Sequence, residues 1–351
     1  AALTLPEADK FLYVRQQGIT AIIGLVLMVL LARLNYRKLE PVAVLLLILV
    51  GFSLLLIHVP GLSRSAGGAT SWIALGPLSF QPSEFAKLAV VLAGAFFLAR
   101  RRQPTAVSML ARRGQELRSY LWPFGLSALG MCGLVMLEPD LGTAIIIAGL
   151  LMGLLWLAGM PGRQWLTLFG LWAAVALLVA VTAGERLSRI MTFLHPSADP
   201  QGAGFQVTQS LVALGRGGWL GVGPGQSVQK FSYLPRAHTD MIYAILGEEF
   251  GLIGALAIVA LFGVFALVCW RLARACADRA GRYLVAGCGM LVVLQAVINI
   301  GGVTGAMPLT GVPLPFISYG RNNLLVMFMA VGLILSVARF APARVTSPVR
   351  R

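Results

Sequence analysis

Residues 241–270 read MIYAILGEEFGLIGALAIVALFGVFALVCW, a run in which Glu248 and Glu249 are the only charges. A helix needs about 20 predominantly apolar residues to cross ~30 Å of hydrocarbon, so this run is long enough to span a bilayer. Runs of the same kind lie outward from it, near 14–32, 41–59, 83–99, 120–137, 142–159, 164–183, 283–301 and 322–338. Together they predict an all-α polytopic membrane protein with nine transmembrane helices, forming one membrane domain over residues 1–351. Composition agrees: the chain is 58% hydrophobic and 12% charged, whereas a soluble domain carries about 25% charged residues. A soluble enzyme, a fibrous protein and a disordered tail are excluded.

The net charge is +15, from 28 Lys and Arg against 13 Asp and Glu. In a soluble protein that balance would suggest nucleic acid. Membrane proteins instead gather Lys and Arg in cytoplasmic loops, and no nucleic-acid partner is expected. With the 33–40 loop placed inside, 18 basic residues fall on the inner side and 9 on the outer, with Lys87 inside a span. This bias puts the C-terminus inside and residue 1 outside. The chain opens with Ala and shows no signal-peptide pattern, so the expectation is a preceding N-terminal segment carrying one more helix. Cys132, Cys269, Cys276 and Cys288 form no CxxC pair and have no His at metal spacing, which argues against both disulfide and zinc.

Three outward loops follow from this topology. Residues 60–82 contain Trp72 within GATSWIALG. Residues 184–239 form a long loop rich in Gly, Pro and polar groups, and loops beyond about 12–15 residues are usually functional or disordered. Its periodic segment 205–214, FQVTQSLVAL, predicts a short amphipathic helix on the membrane surface. Residues 302–320, GVTGAMPLTGVPLPFISYG, contain three prolines and cannot form a regular span. Such backbone is tolerated at membrane depth only where it is buried in protein or lines a cavity.

Ionisable groups at or inside the hydrocarbon rim are costly and mark candidate sites. Glu84 and Lys87, three apart, share a helix face; they serve either as an ion pair holding helices together or as substrate contacts. Glu138 and Asp140 flank Pro139 before an apolar run, a pattern suited to a helix cap. Asp240 ends LPRAHTD and opens the 241–270 run at the outer mouth, where it is either an N-cap or a reactive carboxylate. Glu248 lies about 12 Å deeper at 1.5 Å per residue. Buried there beside Glu249, it needs a partner, with Lys87 or an Arg as candidates; a packing charge is the other reading. His58 reads as a packed polar residue, and His195 and His238 are too isolated to argue for a metal.

Several segments resemble one family. They are 68–88 (GATSWIALGPLSFQPSEFAKL), 138–144 (EPDLGTA), 206–217 (QVTQSLVALGRG), 221–251 (GVGPGQSVQKFSYLPRAHTDMIYAILGEEFG) and 311–320 (GVPLPFISYG). In this order they resemble the SEDS family, the shape, elongation, division and sporulation proteins. GxSVQKxxYLPxAHTD is closer to the division branch (FtsW-like) than to the elongation branch (RodA-like). The resemblance implies ten spans, the first missing here, and a peptidoglycan glycosyltransferase polymerising lipid II on the outer face of the bacterial cytoplasmic membrane. It implies a class B penicillin-binding protein as partner, among other membrane proteins of the division machinery. The family's essential acid falls on Asp240, its loop Trp on Trp72, and the PSExxK pair on Glu84 and Lys87. His238 of the HTD triplet, Glu248, and Ser318 of ISYG join the substrate-contact candidates. Ser71, Arg236 and Arg321-Asn322-Asn323 depart from the common pattern.

Joining lipid-linked disaccharides requires a base for the acceptor hydroxyl and positive charge on the departing diphosphate. Asp240 supplies the base. Arg189, Arg216, Lys230, Arg236 and Arg321 are candidates for the diphosphate, as is a divalent cation; each basic residue could instead meet anionic headgroups. A flippase or transporter of lipid-linked precursors would also show polar groups near mid-membrane and a broken segment, and a scaffold that only positions a synthase is a third reading. The Gly- and Ala-rich runs 241–270 and 283–301 are the expected docking face for a partner's single helix.

Overall fold

A computed structural model describes residues 11–59, 63–66, 69–75, 78–101, 120–138, 140–182, 191–193, 195, 203–230, 234 and 238–342. The described residues are mostly helical. Helix α1 (Leu12–Arg33) leads through a single 3-10 turn into α2 (Glu40–Leu56). Asn35 caps that turn by accepting from the Arg37 N–H at 3.1 Å, and Pro41 lies in the first turn of α2, where its missing N–H costs nothing. Helix α3 (Pro82–Arg100) starts on a proline in the same way. The remaining helices are α4 (Leu126–Leu137), α5 (Leu141–Leu157), α6 (Gly162–Thr182), α7 (Ala203–Gly217), α8 (Ile242–Ala275), α9 (Arg279–Val303) and α10 (Arg321–Phe340).

Seven of these segments are long and apolar enough to cross a membrane, while α4 and α5 are apolar but shorter. Only the last 12 residues of the expected 120–137 span form regular helix. The cause is Pro123: the residue before a proline is pushed out of the helical region, and Trp122 sits at φ −102°, ψ 129°.

The first outward loop departs from the all-helical expectation. Strands β1 (Ser63–Ala66), β2 (Ala69–Leu75) and β3 (Leu78–Phe80) form an antiparallel sheet in that order. Ile73 pairs with Ser63 on one side and Phe80 on the other. Thr70, Trp72 and Ile73 favour extended backbone, and pairing satisfies main-chain groups in segments too short for a stable helix.

The chain divides into two compact units. The first comprises Ala1–Gly24, Gly170–Val264 and Val292–Met327; the second comprises Leu25–Phe169, Phe265–Leu291 and Phe328–Arg351. In the first, Leu234, Met241, Tyr243, Ala244, Ala296, Val303 and Leu314 form one buried cluster. In the second, helices meet through glycine, as expected where no water drives association. A Cβ on Gly153 would lie 2.5 Å from Met290 Sδ, and one on Gly287 2.6 Å from Val91 Cγ1. All four cysteines are free and buried. Of the two helices expected to dock a partner, α8 turns Leu256, Leu261, Val264 and Leu267 outward, but α9 is largely buried, with Leu284, Cys288, Leu291 and Ala296 inside. On α9 the exposed Val297 and the half-buried Met290, Val293 and Leu294 recur at helical spacing along one side.

Candidate active site

Asp240 lies in the first unit, in the turn that precedes α8, and is 9% exposed. Met241 O accepts the first helical bonds, from Ala244 N at 3.0 Å and Ile245 N at 3.4 Å. Met241 is thus the N-cap and Asp240 stands one residue before it. The backbone of the turn is tied on two sides. Asn299 Nδ2, from α9, donates to Asp240 O at 2.8 Å and to Val312 O at 2.7 Å. Ser318 Oγ donates to Thr239 O at 2.7 Å and accepts from Leu314 N at 2.7 Å. Gln295 Nε2 adds a bond to Pro313 O at 2.9 Å. The irregular 304–320 segment is therefore tied to α9 and the HTD turn through its buried Val312, Leu314 and Ser318. Gly311, at φ +76°, faces the carboxylate: a Cβ there would come within 3.5 Å of Asp240 Oδ2.

His238 stacks on Tyr13 of α1, ring centroids 4.7 Å apart, and meets Tyr319 edge-on at 5.9 Å. Burial pushes the His238 imidazole below its ordinary value and the Tyr319 phenol above its own. Arg321 opens α10, whose first turn carries the helix's positive end.

Glu248 is fully buried, and an arginine, as the sequence suggests, stands near it beside a serine and main-chain groups that the sequence does not mark. Ser227 Oγ donates to Oε2 at 2.5 Å, Val228 N to Oε1 at 3.2 Å and Gln229 N to Oε2 at 3.3 Å. Arg216 Nε lies 3.8 Å from Oε1 on a half-exposed side chain. Glu249 takes Lys230, whose Nζ donates to Glu249 Oε1 at 2.9 Å and to Gly225 O at 2.5 Å. The two adjacent carboxylates thus fasten the consecutive residues 227–230 of the GPGQSVQK loop onto α8. Lys230 is engaged in that fastening, with its side chain 7% exposed.

The same loop interrupts α8. Gly251 has φ +67°, ψ −169°, a region open essentially to glycine alone. A regular helix would bond Leu252 N to Glu248 O and Ile253 N to Glu249 O. Here Val222 N donates to Glu248 O at 3.0 Å and Gly223 N to Glu249 O at 3.1 Å, while Leu252 N donates to Gly218 O at 2.9 Å and Ile253 N to Trp219 O at 3.3 Å. Each group released by the break is satisfied by residues 218–223. The approach demands glycine: a Cβ on Gly221 would lie 2.2 Å from Glu249 O. Helix α7 packs beside this junction, and a Cβ on its Gly217 would lie 2.0 Å from Gly247 O.

The second unit holds the other candidates. Lys87 Nζ and Glu84 Oε2 form a fully buried ion pair at 2.8 Å. Asp140 is the N-cap of α5, accepting from Thr143 N at 2.9 Å, and Ser83 Oγ donates to its Oδ2 at 3.4 Å. Burial, with Asp140 nearby, pushes the Glu138 carboxyl up to about 8. Trp72 is half-buried on β2, opposite Arg64. Arg189 and Arg236 lie outside the described residues. Among the described residues, no three His, Cys, Asp or Glu side chains gather where they could hold a metal ion.

Residues 2–342 match the model of a family of cell cycle proteins, that of FtsW, RodA and SpoVE. The chain is 42% identical to a probable peptidoglycan glycosyltransferase FtsW of Alcanivorax borkumensis, over 95% of this chain and 86% of that protein. It is 38% identical to the stage V sporulation protein E of Bacillus subtilis, over 95% of this chain and 88% of that protein. A solved chain from work on the coordination of polymerization and crosslinking by a peptidoglycan synthase complex has a TM-score of 0.74 at 32% identity. That likeness covers 93% of this chain and 90% of the other.

Proposed function

The chain belongs to the FtsW/RodA/SpoVE family of cell cycle proteins, and we propose that it is a peptidoglycan glycosyltransferase that polymerises lipid II during cell division. The observation that carries the assignment of roles is the setting of Asp240. Its carboxylate stands on a turn tied by Asn299 and Ser318, and its Oδ2 faces Gly311, where a Cβ would lie 3.5 Å away. In this reading one Asp240 oxygen takes the proton of the acceptor hydroxyl as the hydroxyl's own oxygen attacks the anomeric carbon. The bond from that carbon to the lipid diphosphate breaks, and undecaprenyl diphosphate leaves with both electrons. Its charge needs fixed positive groups. Arg321, at the N-terminal turn of α10, and the half-exposed Arg216 take this role; Lys230, held by Glu249, does not.

In the membrane the seven long helices are joined by α4 and α5 to make nine spans, and Asp240 faces the outside. The partner is a class B penicillin-binding protein, whose single helix packs on the outward apolar side chains of α8. A transporter would use a broken helix to bind its cargo. The break at Gly251 instead has its freed groups bonded to residues 218–223, which favours a transferase over a transporter.

The deciding experiment is polymerisation of lipid II by the purified protein, with and without its partner, comparing wild type with Asp240→Asn. Removing a general base costs about 10²–10⁴ in rate, and lipid II binding should change little. A folded Asp240→Asn variant with near wild-type rate would remove Asp240 from the mechanism.

A further inference from the structure

Helix α1 presents apolar side chains outward along most of its surface, including Ile19, Ile22, Leu25 and Val26. Its inward positions begin with Tyr13, Gln16 and Gln17 and continue through buried Thr20 and Gly24. This spacing is one stripe of a helix. Glutamines in a largely apolar helix are costly unless partnered, and both find partners in the ISYG segment. Tyr319 Oη donates to Gln16 Oε1 at 2.5 Å, and Gln17 Nε2 donates to Ser318 O at 3.1 Å. Tyr13 fits between the two motifs: its ring stacks on His238 at 4.7 Å, 30° between planes, and meets Tyr319 edge-on at 4.8 Å.

The segment that α1 grips is the one that fixes the HTD turn. Tyr319 N donates to His238 O at 2.9 Å, and Ser318 Oγ to Thr239 O at 2.7 Å. From Tyr13, Gln16 and Gln17 the path to Asp240 therefore runs through one ring contact or two hydrogen bonds. We propose that Tyr13, Gln16 and Gln17 are positioning residues for Asp240, holding the 238–240 turn against Ser318 and Tyr319 in the geometry that polymerisation requires. This rests on the reading of Asp240 as the base. None of the three touches the reacting atoms; their effect falls on where the carboxylate stands when the acceptor arrives.

The test is steady-state lipid II polymerisation by the full chain with its partner, comparing Tyr13→Leu, Tyr13→Phe, Gln16→Leu and Asp240→Asn. Misplacing a reacting group by about 1 Å can cost 10²-fold, so Tyr13→Leu and Gln16→Leu should lower kcat by up to about a hundredfold while KM for lipid II stays within about twofold. Tyr13→Phe keeps the ring and should keep the rate. Wild-type kcat in both Tyr13→Leu and Gln16→Leu, beside an inactive Asp240→Asn, overturns the proposal and leaves the Asp240 reading standing. An active Asp240→Asn overturns both. Should Tyr13→Leu fail to fold, Gln16→Leu and Tyr319→Phe each remove one hydrogen bond and decide the matter. Equal kcat losses in the two single variants and in their combination support the proposal; an effect on KM alone, or none, overturns it.

Discussion

Replacing Glu248 by Gln tests whether this buried carboxylate is what holds the GPGQSVQK loop on α8. The carboxylate accepts from the Ser227 hydroxyl and from the N–H groups of Val228 and Gln229. A glutamine of the same size can keep its oxygen at the Oε2 position, bonded to Ser227 and Gln229, but it then turns an NH2 toward the Val228 N–H. One buried donor is left unsatisfied, at about 1–3 kcal/mol. The Arg216 pair adds little, since the arginine is half-exposed at 3.8 Å and such pairs are worth about 0–1 kcal/mol. The expected loss is therefore about 1–4 kcal/mol. Ser227→Ala should cost about 1.5–3 kcal/mol, as a hydrogen bond to a charged group. Because Glu248→Gln takes the charge from the Ser227–Oε2 contact and Ser227→Ala takes its donor, their effects should couple by about 0.5–3 kcal/mol in a double-mutant cycle. Unfolding midpoints in detergent or bicelles give the three differences, and proteolysis within 223–230 reports release of the loop. Additive effects, or a Glu248→Gln variant as stable and protease-resistant as wild type, would refute the reasoning.

Two further outcomes follow from single residues. Gly251→Ala should destabilise by more than about 2 kcal/mol, because its backbone lies where only glycine is unstrained and a Cβ would meet Gly221 N at 2.4 Å; Gly263→Ala, in open space on the same helix, should be neutral or gain up to about 1 kcal/mol, and equal effects at the two sites would contradict the break. Glu138, raised to about 8 from its ordinary 4.5 by burial and by Asp140, binds its proton more tightly when folded, so stability should be fully present below about 4.5 and decline as pH rises through about 8. Glu138→Gln should abolish that part of the decline in thermal midpoint, and an unchanged pH profile would count against the burial argument.

The helices were legible because a long apolar run has few other fates, and α7 because FQVTQSLVAL changes face every three to four residues. The Asp140 cap was legible too, since capping needs only a side chain and an N–H three residues on. What escaped the sequence depends on contacts distant in the chain. EEFGLIG reads as uninterrupted helix; that it breaks at Gly251 depends on residues 218–223 arriving to bond Glu248 O, Glu249 O, Leu252 N and Ile253 N. Glu248 was expected to need Lys87 or an arginine, yet its main partners are a serine and two main-chain N–H groups, and backbone donors leave no trace in residue types. The polar stripe of α1 did leave a signal, Tyr13, Gln16, Gln17 and Thr20 at helical spacing, hidden within a run that is mostly apolar beyond it.

The break in α8 also bears on how Asp240 is held. Were α8 continuous, the tilt of its long membrane portion would set the direction of its first turn and of the residue just before it. With the ladder interrupted after Glu249, residues 242–250 are a short helix fixed by the loop through Glu248 and Glu249 and by α7, whose Gly217 lies against Gly247. The preceding turn is fixed by Asn299 and Ser318. If Asp240 is the base proposed above, its carboxylate needs a position set to within a fraction of an ångström, and short packed elements hold that better than the end of a long helix free to bend. The glycines at 217, 221, 247 and 251 are what allow backbone to pack on backbone there. Loosening any of these contacts should therefore lower the rate of polymerisation before it prevents folding.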